Sequence, residues 1–382
     1  MDFDFSDDQQ SLRDAVRRWV DKGFGFDRRH ALAKAGGASR SVYADLAELG
    51  LTGLAISEVH GGMGFGPVEA MVVNEELGRG LVNAPYAHAA LVAPALLGAA
   101  PEALQATWLP RIASAEALVV LAQQERAARY RLEHVSARAK HVQDGPGGNW
   151  VLDGAKSIVP AGDEADAYVV PARIPGAVDD KAGIGLFLVE RSSLAAGQVR
   201  GYPTQDGARA AELKLDGTRA ALITEDGHAA LERAVDIGTA AFCAEAVGVM
   251  DRLVELTVEY MNTRKQFGVP IATFQALRHR IADVKMQLEL GRSMSYFATL
   301  KLGEPSSQRR RAISQARVQL GQSMRFVGQQ CVQLHGGIGV TDEYQGSHYF
   351  KRLTVLEMVF GDTQHHLGEV AARMQDSAGV FA

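Results

Sequence analysis

The sequence predicts a mainly α-helical protein with a small β-domain in its middle. Apolar residues recur with a helical period in the first and last thirds of the chain, whereas short alternating or β-branched runs between turn residues fill the middle. These changes of period divide the chain into three predicted domains: an N-terminal helical domain at residues 1–117, a middle β-domain at 118–228 and a C-terminal helical bundle at 229–382.

The first helix is predicted from its cap. Ser6 is followed three residues later by Gln9, a pattern typical of a capping box. The apolar residues after it lie on one helical stripe: Leu12, Ala15, Val16, Trp19 and Val20. Further helix-period segments continue to about residue 117 and are broken by the turn-rich residues 60–67 and by prolines.

The β-domain is predicted from the runs LVVLA, WVLDGAKSIV, ADAYVVPARI, GIGLFLVE and AAELKLDG, which we expect to pair in a mostly antiparallel way. After Leu231 the helical period returns, and prolines occur only at 270 and 305, so long helices are expected with breaks there. Cys243 and Cys331 lie in apolar helical contexts without partners at metal-ligand spacing, and we expect both to be reduced core residues.

Composition excludes several classes of function. A chain of 382 residues with 47% hydrophobic and 22% charged residues is ordinary for a globular protein. A net charge of −5 without a dominant basic face gives no reason to bind nucleic acid. The acidic start MDFDFSDDQQ is unlike a signal peptide, and no window holds about 18 uninterrupted apolar residues, which predicts a cytoplasmic protein that is not inserted in a membrane.

No standard nucleotide-binding motif is present in the sequence. Residues 61–66 do not fit G-x-G-x-x-G, and residues 154–157, GAKS, lack the upstream glycine of a phosphate loop. Two other segments stand out, RKQFGVPIATFQ at residues 264–275 and QLHGGIG at 333–339. Taken alone, each could simply be the end of a helix that needs residues with positive φ.

Taken together, with helices on both sides, the two segments closely resemble the acyl-CoA dehydrogenase family. The resemblance covers essentially the whole chain, through HGGMGFGP, LDGAKSIVPAG and KRLTVLEMVFGDTQHHL. It is closest to small subunits of pimeloyl-CoA-type dehydrogenases, through GYPTQDG, CAEAVG, RRRAIS and FVGQQ. It implies a fold with an N-terminal helical domain, a middle β-barrel-like domain and a C-terminal four-helix bundle.

The resemblance also implies FAD as the cofactor. In the family, residues of both segments reach across a dimer interface to the pyrophosphate and adenosine of a neighbour's FAD. A guanidinium can donate paired hydrogen bonds to phosphate, and glycine lets backbone N–H groups approach an anion. The positions to which this role is carried over are Arg264, Gln266, Phe267, Gln275, Gln333, Gly336 and Gly337, with Thr363 as an addition.

The catalytic carboxylate of the family has no direct counterpart in this sequence. The family reaction is α,β-desaturation of an acyl-CoA thioester, in which a glutamate removes the Cα proton while a hydride leaves Cβ for the flavin. The usual glutamate position is Gly361, and the position used by a second group of members is Gly238. The catalytic residue is therefore unknown, with Asp362 as a candidate for a displaced base.

The residues that would contact the flavin ring are altered as well. Where most members read roughly Thr-Glu-Pro-x-x-Gly-Ser-Asp, residues 124–131 read QERAARYR and keep only Glu125. The usual tryptophan and threonine become Ile158 and Pro160. Isoleucine can neither stack nor donate, and proline has no N–H, so two of the usual contacts with the ring are lost.

The chain thus keeps the residues with which family members contact the FAD of a neighbouring subunit. It lacks the catalytic base and the residues with which they contact their own flavin ring. This pattern favours a subunit of a heteromeric enzyme for an acyl-CoA substrate, with electron-transfer flavoprotein as the electron acceptor. Two alternatives stay open. One is an active homo-oligomer with a displaced base at Asp362, Glu125, Asp236 or Glu245, and the other is a non-enzymatic scaffold that binds neither flavin nor acyl-CoA. The shape of the acyl pocket is not readable from one sequence.

Two charged groups have simpler interpretations. His365, His366 and Glu369 have helical spacing but no evident third ligand, so no metal site is predicted. The arginine run at residues 309–311 begins a helix and is most simply a solvated face, although it could meet a partner or a CoA phosphate.

Overall fold

The computed structural model describes residues 5–142 and 149–378, so residues 1–4 of the acidic N-terminal segment lie outside it. The helices in this part of the chain are α1 Asp7–Gly23, α2 Phe26–Lys34, α3 Arg40–Glu48, α4 Pro67–Arg79, α5 Ala93–Leu97, α6 Glu102–Ala113, α7 His228–Thr263, α8 Gln275–Leu300, α9 Ser306–His335, α10 Gln345–Met358 and α11 Thr363–Ala378. The strands are β1 Val119–Leu121, β2 Arg138–His141, β3 Trp150–Pro160, β4 Ala167–Arg173, β5 Ile184–Glu190, β6 Val199–Pro203, β7 Arg209–Thr224, β8 Lys265–Gln266 and β9 Val269–Pro270. None of the helices in these ranges is long and apolar enough to cross a membrane.

The described residues form two compact units that do not follow chain order. The first unit combines residues 5–30, 67–82 and 239–378, and the second combines 31–66, 83–142 and 149–238. Strands β1 to β7 lie between residues 119 and 224, inside the region in which the sequence predicts a β-domain. The division into three domains at residues 118 and 229 stays a prediction.

Helix α1, in the first unit, begins as the sequence predicts. Ser6 Oγ accepts a hydrogen bond from the Gln9 N–H at 3.2 Å, and Gln9 Oε1 accepts one from the Ser6 N–H at 3.1 Å. Both bonds of the predicted capping box are therefore present, and two donors at the helix N-terminus are satisfied. Val16 and Val20 of the predicted apolar stripe are buried.

Two glycines allow the backbones of α4 and α7 to touch within the first unit. A Cβ atom added to Gly248 would lie 1.8 Å from the carbonyl oxygen of Glu75, and one added to Gly78 would lie 2.2 Å from the carbonyl oxygen of Glu245. Carbon and oxygen atoms cannot approach so closely, so neither position accepts a larger residue at this helix separation. The close approach fixes how the long helix α7 lies against α4.

The strands of the second unit close into a small barrel. Five of them pair in a ring, β4 with β2, β2 with β3, β3 with β7, β7 with β5 and β5 with β4. Strand β1 extends the sheet from β4, and β6 extends it from β7. Among the described strands, only the β1–β4 and β2–β4 pairings of this sheet are parallel, which confirms the mostly antiparallel prediction.

Two strands of this sheet, β2 and β6, were missed by the sequence reasoning. In β2, Arg138–His141, only Ala139 is buried, so a period-2 apolar pattern hardly exists. In β6, Val199–Pro203, no residue is fully buried, and the strand contains a glycine and a proline. Both segments become strands because neighbouring strands offer them hydrogen bonds, which is a non-local cause.

A buried ion pair ties the altered segment 124–131 to the barrel. Lys156 Nζ in β3 donates to Glu125 Oε1 at 2.6 Å, and the two residues are 1% and 3% exposed. The Glu125 carboxylate also accepts the backbone N–H groups of Ser136 at 2.8 Å and Ala137 at 3.1 Å. Burial alone would raise the pKa of Glu125, but the Lys156 ammonium and the Ser136 hydrogen bonds hold that pKa below its usual range.

Both cysteines are buried and free, as the sequence predicts. Burial raises the pKa of the Cys243 thiol to about 11 and that of Cys331 to about 12. Each thiol therefore stays protonated near neutral pH and packs as a small apolar group.

Replacing Gly248 by alanine should destabilise the protein, because the new methyl group can be accommodated only if α4 and α7 move apart. We expect a loss of about 3 kcal/mol in the free energy of unfolding, measured by urea denaturation. Gly368→Ala is the matched control, since that glycine is exposed in α11 with open space around its Cβ position, and it should stabilise by about 0.5–1 kcal/mol. Equal effects of the two substitutions would contradict the close helix approach.

Replacing Lys156 by methionine should cost about 3–5 kcal/mol at neutral pH, because the Glu125 charge stays buried without its partner. Adding Glu125→Gln to Lys156→Met should recover a large part of that loss. In the natural protein the lowered pKa of Glu125 gives stability that is present above about pH 4.3 and is lost as pH falls through the folded-state pKa. Without Lys156 that pKa rises, so the cost of the substitution should grow between about pH 4 and 6. If the loss of stability in Lys156→Met became smaller over this pH range, a buried ion pair between Lys156 and Glu125 would be excluded.

Candidate functional site

A tight hairpin joins helices α7 and α8 and carries the first motif. Its strands are β8 and β9, and Phe267 and Gly268 form its tip with φ values of +55° and +81°. Positive φ is easy for glycine but strained for phenylalanine. The Phe267 side chain is nevertheless 91% exposed, and the ring of Phe274 lies edge-on to it at 6.1 Å between centroids. A strained and exposed aromatic side chain is a reason to assign Phe267 a binding role.

The polar members of the first motif are exposed beside this hairpin. Arg264, Gln266 and Gln275 all belong to the exposed residues. The backbone of Arg264 is fixed, because its N–H donates to the Tyr260 carbonyl at 2.8 Å and its carbonyl accepts the Ile271 N–H at 2.9 Å. Within the described ranges, no hydrogen bond or ion pair engages its guanidinium. A rigid backbone therefore presents a free fork of N–H donors.

The second motif lies at the C-terminus of α9. Gln333 is exposed in the last turn, and the helix ends at Gly336 with φ of +65° and ψ of −144°. Gly336 and Gly337 are exposed, and nothing in the described chain lies within 4 Å of the position that a Cβ atom would take at either glycine. The surface beside the two glycines is thus open to close approach by another molecule, while the Gly336 N–H itself donates to the Gln333 carbonyl.

A small cluster of aromatic and apolar side chains holds the two motifs together. Tyr260 near the end of α7 lies 4.8 Å from the His335 ring at the end of α9, and Tyr344 lies 4.9 Å from the same ring. His335 Nδ1 is 2.8 Å from the Cys331 carbonyl and its Nε2 is 2.9 Å from the Tyr344 hydroxyl. Burial lowers the pKa of His335, so the neutral ring donates from Nδ1 and accepts at Nε2. Next to these rings, the apolar residues Met261, Ile271 and Leu334 form a buried cluster.

Seven of the eight predicted cofactor residues therefore lie at one end of the first unit. Thr363 is not among them, because it begins α11 and packs against Gly321 in the middle of α9. Gly321 precedes Gln333 by 12 residues, which is about 18 Å of helix. The Thr363 hydroxyl donates to Glu357 Oε1 at 2.6 Å, which gives it a structural role within the chain.

The usual position of the catalytic glutamate is closed to any side chain. Gly361 is buried with φ of +126°, a conformation that only glycine adopts readily. A Cβ atom there would lie 2.6 Å from His365 Cδ2 and 2.6 Å from His366 Nε2. A carboxylate at residue 361 would therefore require a different loop, not only a different side chain.

Arg317, which the sequence reasoning missed, holds this loop. Its Nη2 donates to the carbonyl oxygens of Leu356 at 3.0 Å and of Gly361 at 2.8 Å, as well as to two carbonyls between them. Arg317 is 1% exposed, so its charge is offset by the carbonyls that end α10. The only signal in the sequence is an arginine on the apolar stripe of a helix, which does not identify its partners.

Asp362, the displaced-base candidate, has a structural role in this conformation. Its Oδ1 accepts a hydrogen bond from the backbone N–H of His365 at 2.8 Å, so Asp362 is the N-cap of α11. Removal of a substrate proton would require the carboxylate to leave this cap.

The other candidate bases are also placed in structural environments. Gly238 is buried within α7, where the second group of members carries its base. Asp236 is completely buried, and Glu245 is held by Arg352, whose Nε lies 2.6 Å from Glu245 Oε1. Glu125 is enclosed by its ion pair with Lys156.

The ring-side positions do not fit a flavin in the usual way. Ile158 lies at an irregularity of β3, where the pairing with β7 shifts between Lys156 and Val159. Its φ is +52° and its side chain is 59% exposed, an uncommon combination for a β-branched residue. Pro160 ends β3 opposite Ala210 and offers no donor.

The structure corrects one interpretation of the charged groups near the C-terminus. The arginine run is not simply a solvated face, because Arg309 is 6% exposed and Arg310 Nη2 lies 3.8 Å from Glu369. His366 is 3% exposed, and burial lowers its pKa well below the usual value. Glu369 also accepts from Arg373 at 2.6 Å, which gives it a structural role in α11.

Comparisons with known proteins agree on one family. Residues 225–375 match Acyl-CoA dehydrogenase, C-terminal domain, and residues 6–116 match Acyl-CoA dehydrogenase, N-terminal domain. The chain is 28% identical over 382 residues to the mitochondrial long-chain specific acyl-CoA dehydrogenase of Sus scrofa, and the match covers 97% of this chain and 86% of that protein.

Two solved structures resemble the chain over nearly its full length. A variant of the Tcur3481-Tcur3483 steroid ACAD has a TM-score of 0.85 and 26% identity, covering 97% of this chain and 99% of that one. The ChsE4-ChsE5 complex from Mycobacterium tuberculosis has a TM-score of 0.85 and 25% identity, covering 98% and 99%. Because two domains of one family together match residues 6–116 and 225–375, more than half of the 382 residues, this chain belongs to the acyl-CoA dehydrogenase family, whose cofactor is FAD.

Proposed function

We propose that this chain is a base-lacking subunit of a heteromeric acyl-CoA dehydrogenase, and that it completes the FAD site of a partner subunit. The observation that carries the proposal is the contrast between two sets of positions. The residues that would contact the FAD of a neighbouring subunit are exposed on a fixed backbone. The position of the family's catalytic glutamate, by contrast, has no room for a side chain, and the other candidate bases are engaged in contacts within the chain.

The lent residues suit the phosphate and adenosine part of FAD. The Arg264 guanidinium can donate two parallel hydrogen bonds to oxygens of a pyrophosphate, and the absence of side chains at Gly336 and Gly337 leaves room for the cofactor to approach the backbone. Phe267 offers an aromatic face, and Gln266 supplies both donors and acceptors. When bound, FAD would accept the hydride in the family reaction.

The positions of the candidate carboxylates support assigning the catalytic base to another chain. A general base must come within hydrogen-bond reach of the proton that it removes. Position 361 cannot carry a side chain in this loop, and the carboxylates of Asp362, Glu125 and Glu245 are engaged in a helix cap or in ion pairs. We infer that the partner subunit supplies the carboxylate.

Two-component relatives also support the proposal. The names of two similar structures, Tcur3481-Tcur3483 and ChsE4-ChsE5, each describe a pair of proteins. We propose the same kind of assembly here, with an acyl-CoA thioester as substrate and electron-transfer flavoprotein as the electron acceptor. The relation to small subunits of pimeloyl-CoA-type dehydrogenases and a cytoplasmic location belong to this proposal as well.

The test compares the chain alone with the chain co-purified with a family member encoded beside it. We expect little flavin and no dehydrogenation from the isolated chain, and flavin with acyl-CoA-dependent reduction of an electron acceptor from the complex. In the complex, Arg264→Ala should lower the FAD content measured by absorbance at least about tenfold, because a charge-assisted pair with phosphate is lost. Arg18→Ala is the control, since Arg18 is exposed on α1, away from both motifs.

Other outcomes separate the alternatives. Full activity with one FAD per chain in the isolated protein, abolished by Asp362→Asn, would establish the homo-oligomer with a displaced base. No flavin in either preparation would favour a scaffold. Unchanged FAD content in the Arg264→Ala complex would remove the role assigned to that residue.

Restoring the family glutamate should not restore a base. We expect Gly361→Glu to lower the free energy of unfolding by about 2–4 kcal/mol, because the residue would hold φ of +126° and crowd His365 and His366. Gly368→Glu, on the exposed side of α11, should change stability little and is the control for the added charge. Urea denaturation and an acyl-CoA dehydrogenation assay measure both effects. An isolated Gly361→Glu chain with unchanged stability and new activity would contradict the loop geometry.

A further inference from the structure

We propose that a cavity in the first unit, which we call the Arg29 cavity, binds a small ligand that carries a phosphate-type oxyanion. It lies among the C-terminal ends of α1 and α4, the start of α2, the middle of α7 and the N-terminus of α10. The cavity shares no lining residue with the hairpin of β8 and β9 that is proposed to contact FAD. The proposed function does not depend on the cavity.

The Arg29 cavity is large enough for a ligand. Its volume is about 180 Å³, against the ~10–15 Å³ that a single water molecule needs on the same measure. Three guanidinium groups line it, those of Arg29, Arg79 and Arg252. Tyr349 and Gln345 add polar groups to its wall. This space suits a phosphate group with a small organic remainder, but not a dinucleotide.

The charges that line the cavity are mainly positive. Among the described residues of its lining, Asp21 is the only carboxylate, and it is paired with Arg79. Two further carboxylates compensate the arginines from outside the lining, Glu76 at 3.1 Å from Arg79 and Glu255 at 2.8 Å from Arg252. Three arginines and one aspartate are therefore the charged residues in this described lining.

Arg29 is fixed in place by a neutral histidine. The Arg29 side chain is 2% exposed, and its Nη1 lies 2.7 Å from His348 Nδ1. A guanidinium can only donate, so His348 Nδ1 accepts and its Nε2–H donates to the Asp342 carbonyl at 2.8 Å. Burial and the Arg29 charge lower the pKa of His348, which favours this neutral form.

The same hydrogen bonds argue against a metal ion beside the cavity. His30, Asp342 and His348 place potential ligand atoms within 4.8 Å of one another. With Nδ1 accepting from Arg29, however, Nε2 of His348 carries the proton and has no lone pair for a cation. A guanidinium at 2.7 Å from that ring also repels a cation, so the local field selects an anion.

The N-terminus of α10 also lies at the cavity. Gln345, the first residue of the 14-residue helix α10, lines the cavity, and the first turn of that helix contains no acidic residue. The positive end of this helix dipole lies at the cavity without an acidic side chain in that turn, and it opposes the negative ends of α1 and α4, whose C-terminal residues also line the cavity. Tyr349, one turn later, donates its hydroxyl to the Arg79 carbonyl at 2.7 Å and so caps the end of α4.

The test uses the full chain and inorganic phosphate as the ligand, at constant ionic strength with chloride as the balancing anion. Isothermal titration calorimetry should show saturable binding of one phosphate per chain. Arg252→Gln should weaken the affinity at least about tenfold, and Arg252→Lys, which keeps the charge, should weaken it less. Arg311→Gln, which changes an exposed arginine of α9, is the control for net charge and should leave the affinity unchanged.

Two further measurements identify the binding position. The Arg264→Ala variant should keep the phosphate binding that Arg252→Gln weakens, which separates a ligand in the cavity from one at the Arg264 motif. A phosphate-soaked crystal should show density in contact with Arg29 and Arg252. Absence of saturable binding, an equal loss in Arg311→Gln and Arg252→Gln, or density only at Arg264 would overturn the proposal. Should Arg252→Gln fail to fold by circular dichroism, the Arg252→Lys titration and the crystal decide the question.

Discussion

The buried guanidinium of Arg317 holds the loop that contains Gly361, and the proposed heteromeric role depends on the conformation of that loop. A charge that is 1% exposed is costly, and here carbonyl oxygens at the end of α10 offset it, where the partial negative charge of a helix accumulates. Those hydrogen bonds hold the following loop, and Gly361 takes a φ of +126° within it. The missing base is therefore part of the backbone conformation. The proposed heteromeric role rests on this constraint more than on the identity of a single residue.

The exposed motifs have the opposite physical character. Phe267 combines positive φ with 91% exposure, an arrangement that costs conformational energy and leaves an aromatic ring in water. Nothing within the described chain repays that cost. Arg264 likewise extends from a fixed backbone without a partner among the described residues. Side chains that are held rigidly yet uncovered have the properties of an interface, where rigidity reduces the entropy lost on binding.

Local signals in the sequence predict local structure well, and they fail where distant segments decide the outcome. Ser6 and Gln9 are three residues apart, so their capping box is readable before folding. The breaks at Pro270 and Pro305 are readable for the same reason. Strand β2 and the burial of Arg309 depend on neighbours far along the chain, and neither was predicted. At the site, the family motifs predict which residues would contact a neighbour's FAD, and that assignment stays a prediction. The contacts of Arg317 with residues 356–361 are visible only in three dimensions.

Buried ion pairs within the fold differ in their surroundings from the arginines that line the Arg29 cavity. Glu125 is matched by Lys156, and Glu75 is matched by Arg292, so these charges are neutralised inside the fold. The Arg29 cavity differs, because its arginines surround open space and their carboxylate partners lie mostly outside its lining. The proposed oxyanion would occupy this space between the three arginines.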